Sequence, residues 1–597
     1  MQILKKLFFF ISSTDRKKLP WLMIMITIMA LLEMIGVASI IPFISVLTNP
    51  TLIETNIFLN TMFKASGIFG VETNQEFFFL LGIIVFFLLV FSILFKAFTV
   101  YVLARFSYML DYSISKFITK KYLYQPYSWF LNRNSADLGK SILSEVGILV
   151  GNGIRPIMLM ITQSMVLIAL LSLLILVDVK IALSVFFILG VSYGLIYKLL
   201  RGFVQRIGKE RLEANRLRFT SLSEAFGAVK EIKLGGLEKL NIKKFSEPSK
   251  KMAFLHAYFS VVNQLPRFAL EALTFGGMML LILYMMRQTG TLIESLPIIS
   301  LYALAGYRIM PALQQVYASM TQLRFLGPAL DSLYYDIKNL KPSESQIDQN
   351  NIIFNKKITL NQINYSYPNS SQTTLKNINI DISAKTTVGI VGATGSGKTT
   401  IIDIILGLLE SQQGTLEVDG KVINGKNCRA WQKSIGYVPQ HIYLADDTIT
   451  ANIAFGVDPE NIDQKTLENV AKIANIHDFI INELPNQYQT TTGERGVRLS
   501  GGQRQRIGIA RALYHKPKLL ILDEATSALD NLTEQEVVKA INNLSKDITI
   551  ILIAHRLSTV KKCDKIYLIE KGKLKNKGTF EELIKVDANF RASVTST

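Results

Sequence analysis

The sequence predicts two folds in series. An all-α membrane domain with six spanning helices occupies residues 1–331, and after a polar connector at 332–351 a soluble α/β domain fills 352–597. Three observations carry this. The apolar residues, 49% of 597, crowd into runs of about 20 or more before residue 330. Lysine and arginine, which give a net charge of +19, collect in alternate loops between those runs. Beyond residue 351 short strand-like runs alternate with helical ones, and a glycine-rich loop follows one of them. The basic balance would also suit nucleic acid, but here the charges flank apolar runs instead of forming a stripe interleaved with aromatics; the partner expected is a lipid bilayer, with no nucleic acid. The two cysteines, Cys428 and Cys563, are too few and too far apart for a disulfide framework or a metal cluster, and they point to a reducing compartment.

In chain order, the spans are expected at 20–47, 77–106, 153–177, 179–200, 268–286 and 296 to about 324. The first is too long for the apolar core of a cleaved signal peptide, and no small-residue cleavage site follows it. Only residues 178–180 separate spans three and four, so these form a tight hairpin. Lys116, Lys120, Lys121, Arg133 and Lys140 lie between spans two and three, and a longer basic series from Arg201 to Lys251 lies between four and five. The opposite loops carry little beyond Lys64 and Lys180. By the positive-inside rule the N-terminus, both basic loops and everything after span six are cytoplasmic. These loops keep helical composition, so spans two to five are expected to project far beyond the bilayer and to turn near 125–138 and 221–240. They read as a solvated basic bundle or as levers reaching the soluble domain. Residues 51–69 are too short and polar to cross; their apolar spacing suggests an amphipathic helix on the outer membrane surface, with an ordinary packed loop as the alternative.

The second domain is organised around residues 392–400, GATGSGKTT, which fit the phosphate-loop pattern G-x-x-x-x-G-K-[ST]. Its residues are Gly392, Ala393, Thr394, Gly395, Ser396, Gly397, Lys398, Thr399 and Thr400. A strand-like run at 388–391 precedes it and a helical run follows. Glycines let backbone N–H groups turn inward around an anion, the helix N-terminus adds its positive end, Lys398 reaches the β- and γ-phosphates, and the Thr399 hydroxyl suits Mg²⁺. The fold class is therefore a six-helix transmembrane domain followed by an α/β P-loop nucleotide-binding domain, with ATP and Mg²⁺ as its cofactors.

Further motifs follow in order: Pro439-Gln440 after a strand at 435–438, LSGGQ at 499–503, a strand at 519–522 ending in Asp523-Glu524, SALD at 527–530, and His555 after a strand at 549–554. Together they resemble the nucleotide-binding domain of ATP-binding cassette (ABC) transporters, and with six preceding spans the whole chain resembles the type I (type IV) exporter half-transporters. The resemblance implies that Asp523 binds Mg²⁺, with Thr399 and Gln440 in the same shell. Glu524 would orient or deprotonate the attacking water. His555 would meet the γ-phosphate, and Gln440 would sense the metal and couple to the membrane helices. Tyr367 would stack on adenine; Tyr365 competes, but strand alternation makes it core. In that family Ser500, Gly501, Gly502 and Gln503 cover the phosphate loop of a second subunit. The glutamate, histidine and signature all fit the consensus, which implies an active homodimer over a heterodimer with one dead site. GERG at 493–496 resembles an exporter-specific loop.

Charges inside the spans cost roughly 2.5–3.5 kcal/mol each even on the lenient insertion scale, so each calls for a reason. Glu33 and Lys96 are expected to pair. Arg105, Arg267 and Arg308 outnumber the nearby acids, though Glu271 could neutralise Arg267. Arg105 and Arg267 could simply snorkel at the span ends. If all three face one cavity, six arginines per dimer suit an anionic headgroup such as a pyrophosphate. LARFS at 103–107, LPRFALEAL at 265–273 and YRIMPA at 307–312 resemble segments of PglK-type bacterial flippases. That resemblance implies outward movement of a lipid-linked oligosaccharide across the bacterial inner membrane. An exporter of another lipid, a peptide or a drug is the alternative; a non-transport cassette ATPase is opposed by the six spans.

Overall fold

The computed structural model describes residues 2–289, 292–340, 352, 354–368, 370, 372–493, 496–524, 547–554, 557–588 and 590–591. The chain divides into two compact units, Met1–Gln125 with Arg133–Lys341, and Pro126–Asn132 with Pro342–Thr597. The whole 342–351 stretch, the SALD segment and His555 lie outside the described residues, as do two residues of GERG.

The first unit is helical throughout, as a chain in hydrocarbon must be to satisfy its own backbone. Its first span runs as Leu19–Ala38 and Ile40–Thr48. Pro42 has no N–H to give the carbonyl of Ala38, so the helix is interrupted at Ser39 and restarts at Ile40. The second span lies within Asn74–Leu123, a helix of 50 residues opened by a Thr73/Glu76 capping box and about 75 Å long. Pro126 helps to turn the chain at its far end, where a short helix, Tyr127–Phe130, intervenes. Two π-helical turns, Ser141–Glu145 and Val150–Ile154, lead into the third span, Arg155–Val177. Asp178 alone joins it to Val179–Gly227: extended at φ −152°, it accepts N–H bonds at its carboxylate from Lys180 (2.9 Å) and Ile181 (3.0 Å). The tight hairpin is as expected. After a short tip helix, Val229–Gly235, come Glu238–Thr289 and Leu292–Lys338, which contain the fifth and sixth expected spans. Among the described residues, four helical stretches are long and apolar enough to cross a membrane: Ser13–Thr48, Asn74–Leu123, Asp137–Val177 and Val179–Gly227. Their outward faces carry exposed Phe86, Phe87 and Leu176, a surface suited to lipid.

Residues 51–69 form two helices, Leu52–Thr55 and Ile57–Ser66, and a 3-10 turn. Ile53 and Leu59 bury against Val46, Phe77 and Leu81, while Ile57 is 87% and Phe58 65% exposed. The segment is amphipathic: one edge packs on the spans and another presents apolar side chains outward.

Buried charge occurs at two places in this unit. In the spans, Glu33 has 1% of its side chain exposed and accepts from Lys96 at 2.6 Å and Arg308 at 3.4 Å. The expected Glu33–Lys96 pair is present, and Arg308, for which no acid was expected, shares the same carboxylate. Farther along the long helices, Arg211 and Asn215 are both fully buried. Arg211 bonds Glu145 at 3.1 Å, and Asn215 reaches the other carboxylate oxygen at 3.0 Å.

The second unit contains a four-stranded antiparallel sheet and a six-stranded, mostly parallel one. Strands β1 (Lys357–Tyr365), β2 (Leu375–Ser383), β3 (Thr387–Val391), β4 (Gln413–Val418), β5 (Lys421–Val422), β6 (Ile435–Val438), β7 (Leu519–Asp523), β8 (Thr549–Ile553), β9 (Lys565–Glu570) and β10 (Lys573–Gly578) follow in chain order. The antiparallel sheet has the order β2-β1-β4-β5, the other β10-β9-β3-β8-β7-β6. β3, β7 and β8 are buried at every residue and read as continuous apolar runs, as central parallel strands do. The parallel register β9-β3-β8-β7-β6 places the C-terminal ends of these strands along one edge, where ligands of open α/β sheets bind. Trp431, fully buried, knits the two sheets' shared core: its indole donates to the Ile405 carbonyl at 2.7 Å and its ring meets Phe354 edge-on.

Removing one member of a buried ion pair leaves the other uncompensated and typically costs about 3–5 kcal/mol, whereas replacing both with apolar groups is often near neutral. Arg211→Met should therefore lower the thermal unfolding midpoint of the detergent-solubilised protein strongly, and Arg211→Met/Glu145→Met should recover most of the loss.

Candidate active site

The phosphate loop connects β3 to the helix Lys398–Ile405. Gly397 has φ +104°, open to glycine at little cost, and a Cβ there would fall 2.7 Å from Leu375. At Gly392 a Cβ would fall 2.2 Å from the Ile569 carbonyl oxygen, so backbone must press against backbone. Ala393, Thr394 and Gly395 are exposed at the loop crest, and nothing lies within 4 Å of where a Gly395 side chain would start. Ser396 is buried with its hydroxyl unpartnered, an orphan polar atom inside the cradle. Lys398 folds back over the loop: its ammonium donates to the carbonyls of Gly392 at 2.8 Å and Ala393 at 3.1 Å. Burial lowers its pKa, and the charges of Glu524 and Asp523 work against that. The Thr399 side chain is exposed, while Thr400 is buried and shares a 3.0 Å hydrogen bond with the Tyr367 hydroxyl. A cradle shaped by two glycines, a buried ammonium and a helix N-terminus fits a polyphosphate chain.

The acidic residues come from the neighbouring strands. Asp523, 6% exposed, ends β7. Glu524 follows in the left-handed region at φ +50°, a conformation that costs a non-glycine residue energy and is found disproportionately at functional sites. Its backbone N–H donates to the Ile553 carbonyl at 3.2 Å, and its carboxylate accepts from the Gln440 amide at 2.7 Å. Gln440 lies two residues past the end of β6. Thus the structure brings Gln440 to Glu524, and couples both carboxylates to Lys398. Thr399 and Asp523 offer hard oxygen donors, which fit Mg²⁺, an ion that takes one or two protein ligands and completes its shell with phosphate and water. Among the described residues no group of three His, Cys, Asp or Glu forms a metal cluster of its own.

Tyr367 is half-buried and Tyr365 buried, meeting edge-to-face at 5.2 Å, so strand alternation placed Tyr365 in the core as expected. Ser500 caps the helix Gly501–Tyr514 in a reciprocal box: the Gln503 N–H donates to its hydroxyl (3.1 Å), and the Ser500 N–H donates to the Gln503 amide oxygen (2.8 Å). Gly501 and Gly502 form the first turn. Arg105 and Arg267 are exposed; Arg267 bonds Glu271 at 2.8 Å, and Arg308 keeps company with Lys96 on Glu33.

Two residues escaped the sequence reading. Tyr437 on β6 donates its hydroxyl to Asp523 at 3.4 Å, and burial together with that carboxylate raises its pKa. Asp403, one turn past Thr399 on the loop helix, is 8% exposed; burial first, then the Asp523 charge, lift its carboxyl to about 6. The signal for Asp403 was an acid standing alone in an isoleucine run.

The model of the ABC transporter family matches residues 375–527, which include β3, the phosphate loop, the signature and Asp523-Glu524. Residues 375–527 thus form an ABC transporter domain. The chain is 29% identical over 467 residues to an ATP-dependent lipid A-core flippase of Saccharophagus degradans, 78% of each chain being aligned. A protein of the same description from Desulfotalea psychrophila is 37% identical over 290 residues, 48% of this chain and 49% of that one. In fold the chain is similar to a bacterial Atm1-family ABC exporter with ATP bound, with a TM-score of 0.79 at 20% identity, over 98% of this chain and 99% of the other.

Because the fold lifts the Asp403 carboxyl above its ordinary 3.8, it favours the protonated form. The ionised form is therefore paid for increasingly as pH rises from about 4 through 6. Asp403→Asn should stabilise the metal-free protein by about 1–2 kcal/mol at pH 7.5, an estimate that discounts the full shift for relaxation. The gain should fade as pH drops below 6 and vanish near 4, as followed by thermal unfolding in EDTA.

Proposed function

We propose that two copies of this chain form an ATP-driven exporter in a bacterial inner membrane, moving an anionic lipid-linked glycan from the cytoplasmic to the outer leaflet. Residues 1–331 act as the membrane domain, 332–351 as the connector and 352–597 as the ATPase. The observation that carries the ATPase reading is the 2.7 Å bond between Gln440 and Glu524 beside a buried phosphate-loop lysine. The lipid substrate rests on the relatives named as lipid A-core flippases and on the cations in the spans.

In this reading Lys398 and the loop amides of residues 392–400 bind the phosphates, and Tyr367 stacks on the base. Thr399 and Asp523, with Gln440 nearby, hold Mg²⁺, which supplies charge neutralisation at the β- and γ-phosphates. Glu524 takes or orients a proton of the attacking water, its own carboxylate steadied by the Gln440 amide. His555 meets the γ-phosphate. Ser500, Gly501, Gly502 and Gln503 of one copy cover the phosphate loop of the other, so each site needs both chains.

For the substrate, the membrane unit places two cations on one acid, Glu33, within apolar helices. The triad keeps an excess positive charge, for which an anionic headgroup is a fitting partner, with Arg105 and Arg267 as additional contacts nearer the cytoplasm.

Glu524→Gln should retain ATP binding and accumulate a closed dimer while turnover falls at least a hundredfold, read by nucleotide trapping and phosphate release; near-normal turnover would remove Glu524 from this role. In proteoliposomes with a fluorescent lipid-linked oligosaccharide, Arg308→Ala should slow flipping more than it slows ATP hydrolysis. Unaltered flipping would dismiss the headgroup role. Stimulation of the ATPase by an unrelated peptide or drug, with none by the glycolipid, would favour a different cargo.

A further inference from the structure

Asp523 and Glu524 are neighbours in sequence but are held by different means. Glu524 turns out of the strand and meets Gln440, whereas Asp523 remains the last residue of β7, buried to 6% exposure. A carboxylate with two equivalent oxygens can rotate about its terminal torsion, which is broad and roughly two-fold. The Tyr437 side chain on the adjacent parallel strand helps to restrict that rotation. β6 runs in register with β7, Tyr437 opposite Ile521 and Val438 opposite Leu522. From that position the phenol extends along the strand direction past Leu522 and donates to Oδ2 of Asp523 at 3.4 Å. The bond is long, as hydrogen bonds around a catalytic centre often are before substrate tightens them. Asp403 acts on the same carboxylate with like charge.

We propose that Tyr437 is a positioning residue for the metal: its hydroxyl fixes Oδ2 of Asp523 so that Oδ1 is presented to Mg²⁺. The inference rests on the ATP-and-metal reading of this site given above. A phenylalanine in the same place would fill the same volume and keep the strand, while Oδ2 of Asp523 would lose this donor. Partners of this kind, one shell out from a metal ligand, typically change metal affinity by about 10–100-fold when removed. A long single bond to one of the two oxygens places the expected effect at the lower end, about tenfold.

The test uses the full-length protein in nanodiscs and Mn²⁺ as the probe, with bound metal counted by loss of the free-ion EPR signal in the presence of ATP. Tyr437→Phe should raise the apparent dissociation constant for Mn²⁺ about tenfold. Its affinity for ATP in excess EDTA should match the unaltered protein, which also reports an intact fold. Tyr443→Phe, at an exposed position three residues past Gln440, should shift neither value. Equal Mn²⁺ affinity in Tyr437→Phe and the unaltered protein overturns the proposal. So does an equal loss of ATP binding in EDTA and in Mn²⁺, since that would mark Tyr437 as part of the packing alone. If the unaltered protein binds ATP with no help from metal, the site reading itself fails and the role of Tyr437 with it.

Discussion

The ammonium of Lys398 is the charge around which the catalytic half is arranged. It is withdrawn from water, bonded to two carbonyls of its own loop, and opposed by the carboxylates of Asp523 and Glu524. A buried cation of that kind is tolerable only where donors, acceptors and counter-charges are fixed in advance. The parallel sheet does the fixing. β3 delivers the loop, β7 the two acids and β6 the glutamine, all at one edge, so residues more than a hundred positions apart in sequence converge. The positive φ of Glu524 belongs to the same constraint: the chain must turn sharply after Asp523 to send successive carboxylates to different partners.

What the sequence disclosed depended on the range of the forces involved. Periodicity and hydropathy are local, and the strands at 388–391, 435–438, 519–522 and 549–554 lie where residues alone placed them, within a position or so at either end. The first four spans, the one-residue hairpin and the helical turns at both cytoplasmic tips were equally legible, because proline, aspartate and glycine punctuate a chain within a few residues. Contacts across elements were not legible. Nothing in the local pattern around Tyr437 says that its hydroxyl meets Asp523, since that depends on the β6–β7 register. Likewise the burial of Asp403 follows from which face of a single helical turn packs inward. Arg308 is a third case. Its position in an apolar run showed that it needed a partner, but the partner is 275 residues away, on another span.

The membrane unit meets the same electrostatic problem with fewer means. In the second unit the Lys398 ammonium faces both backbone carbonyls and opposite charges. Among the spans, Glu33 is shared between Lys96 and Arg308, and the balance is left positive. In the long helices, Arg211 is matched by Glu145, but two further nitrogens have no hydrogen-bond partner among the described residues. Both clusters tie together helices that are distant in sequence.

Asp178 gives the membrane unit its mechanical character. With one extended residue and two capping bonds between Val177 and Val179, the hairpin has no slack with which to absorb sliding. The 49-residue helix that follows is about 74 Å long if straight. A swing of about 5° pivoted at that corner would carry its distant end through roughly 6 Å, by simple proportion to this length. A rearrangement too small to open a gap on one side of the bilayer would thus arrive on the other as a stroke the size of a whole helical turn.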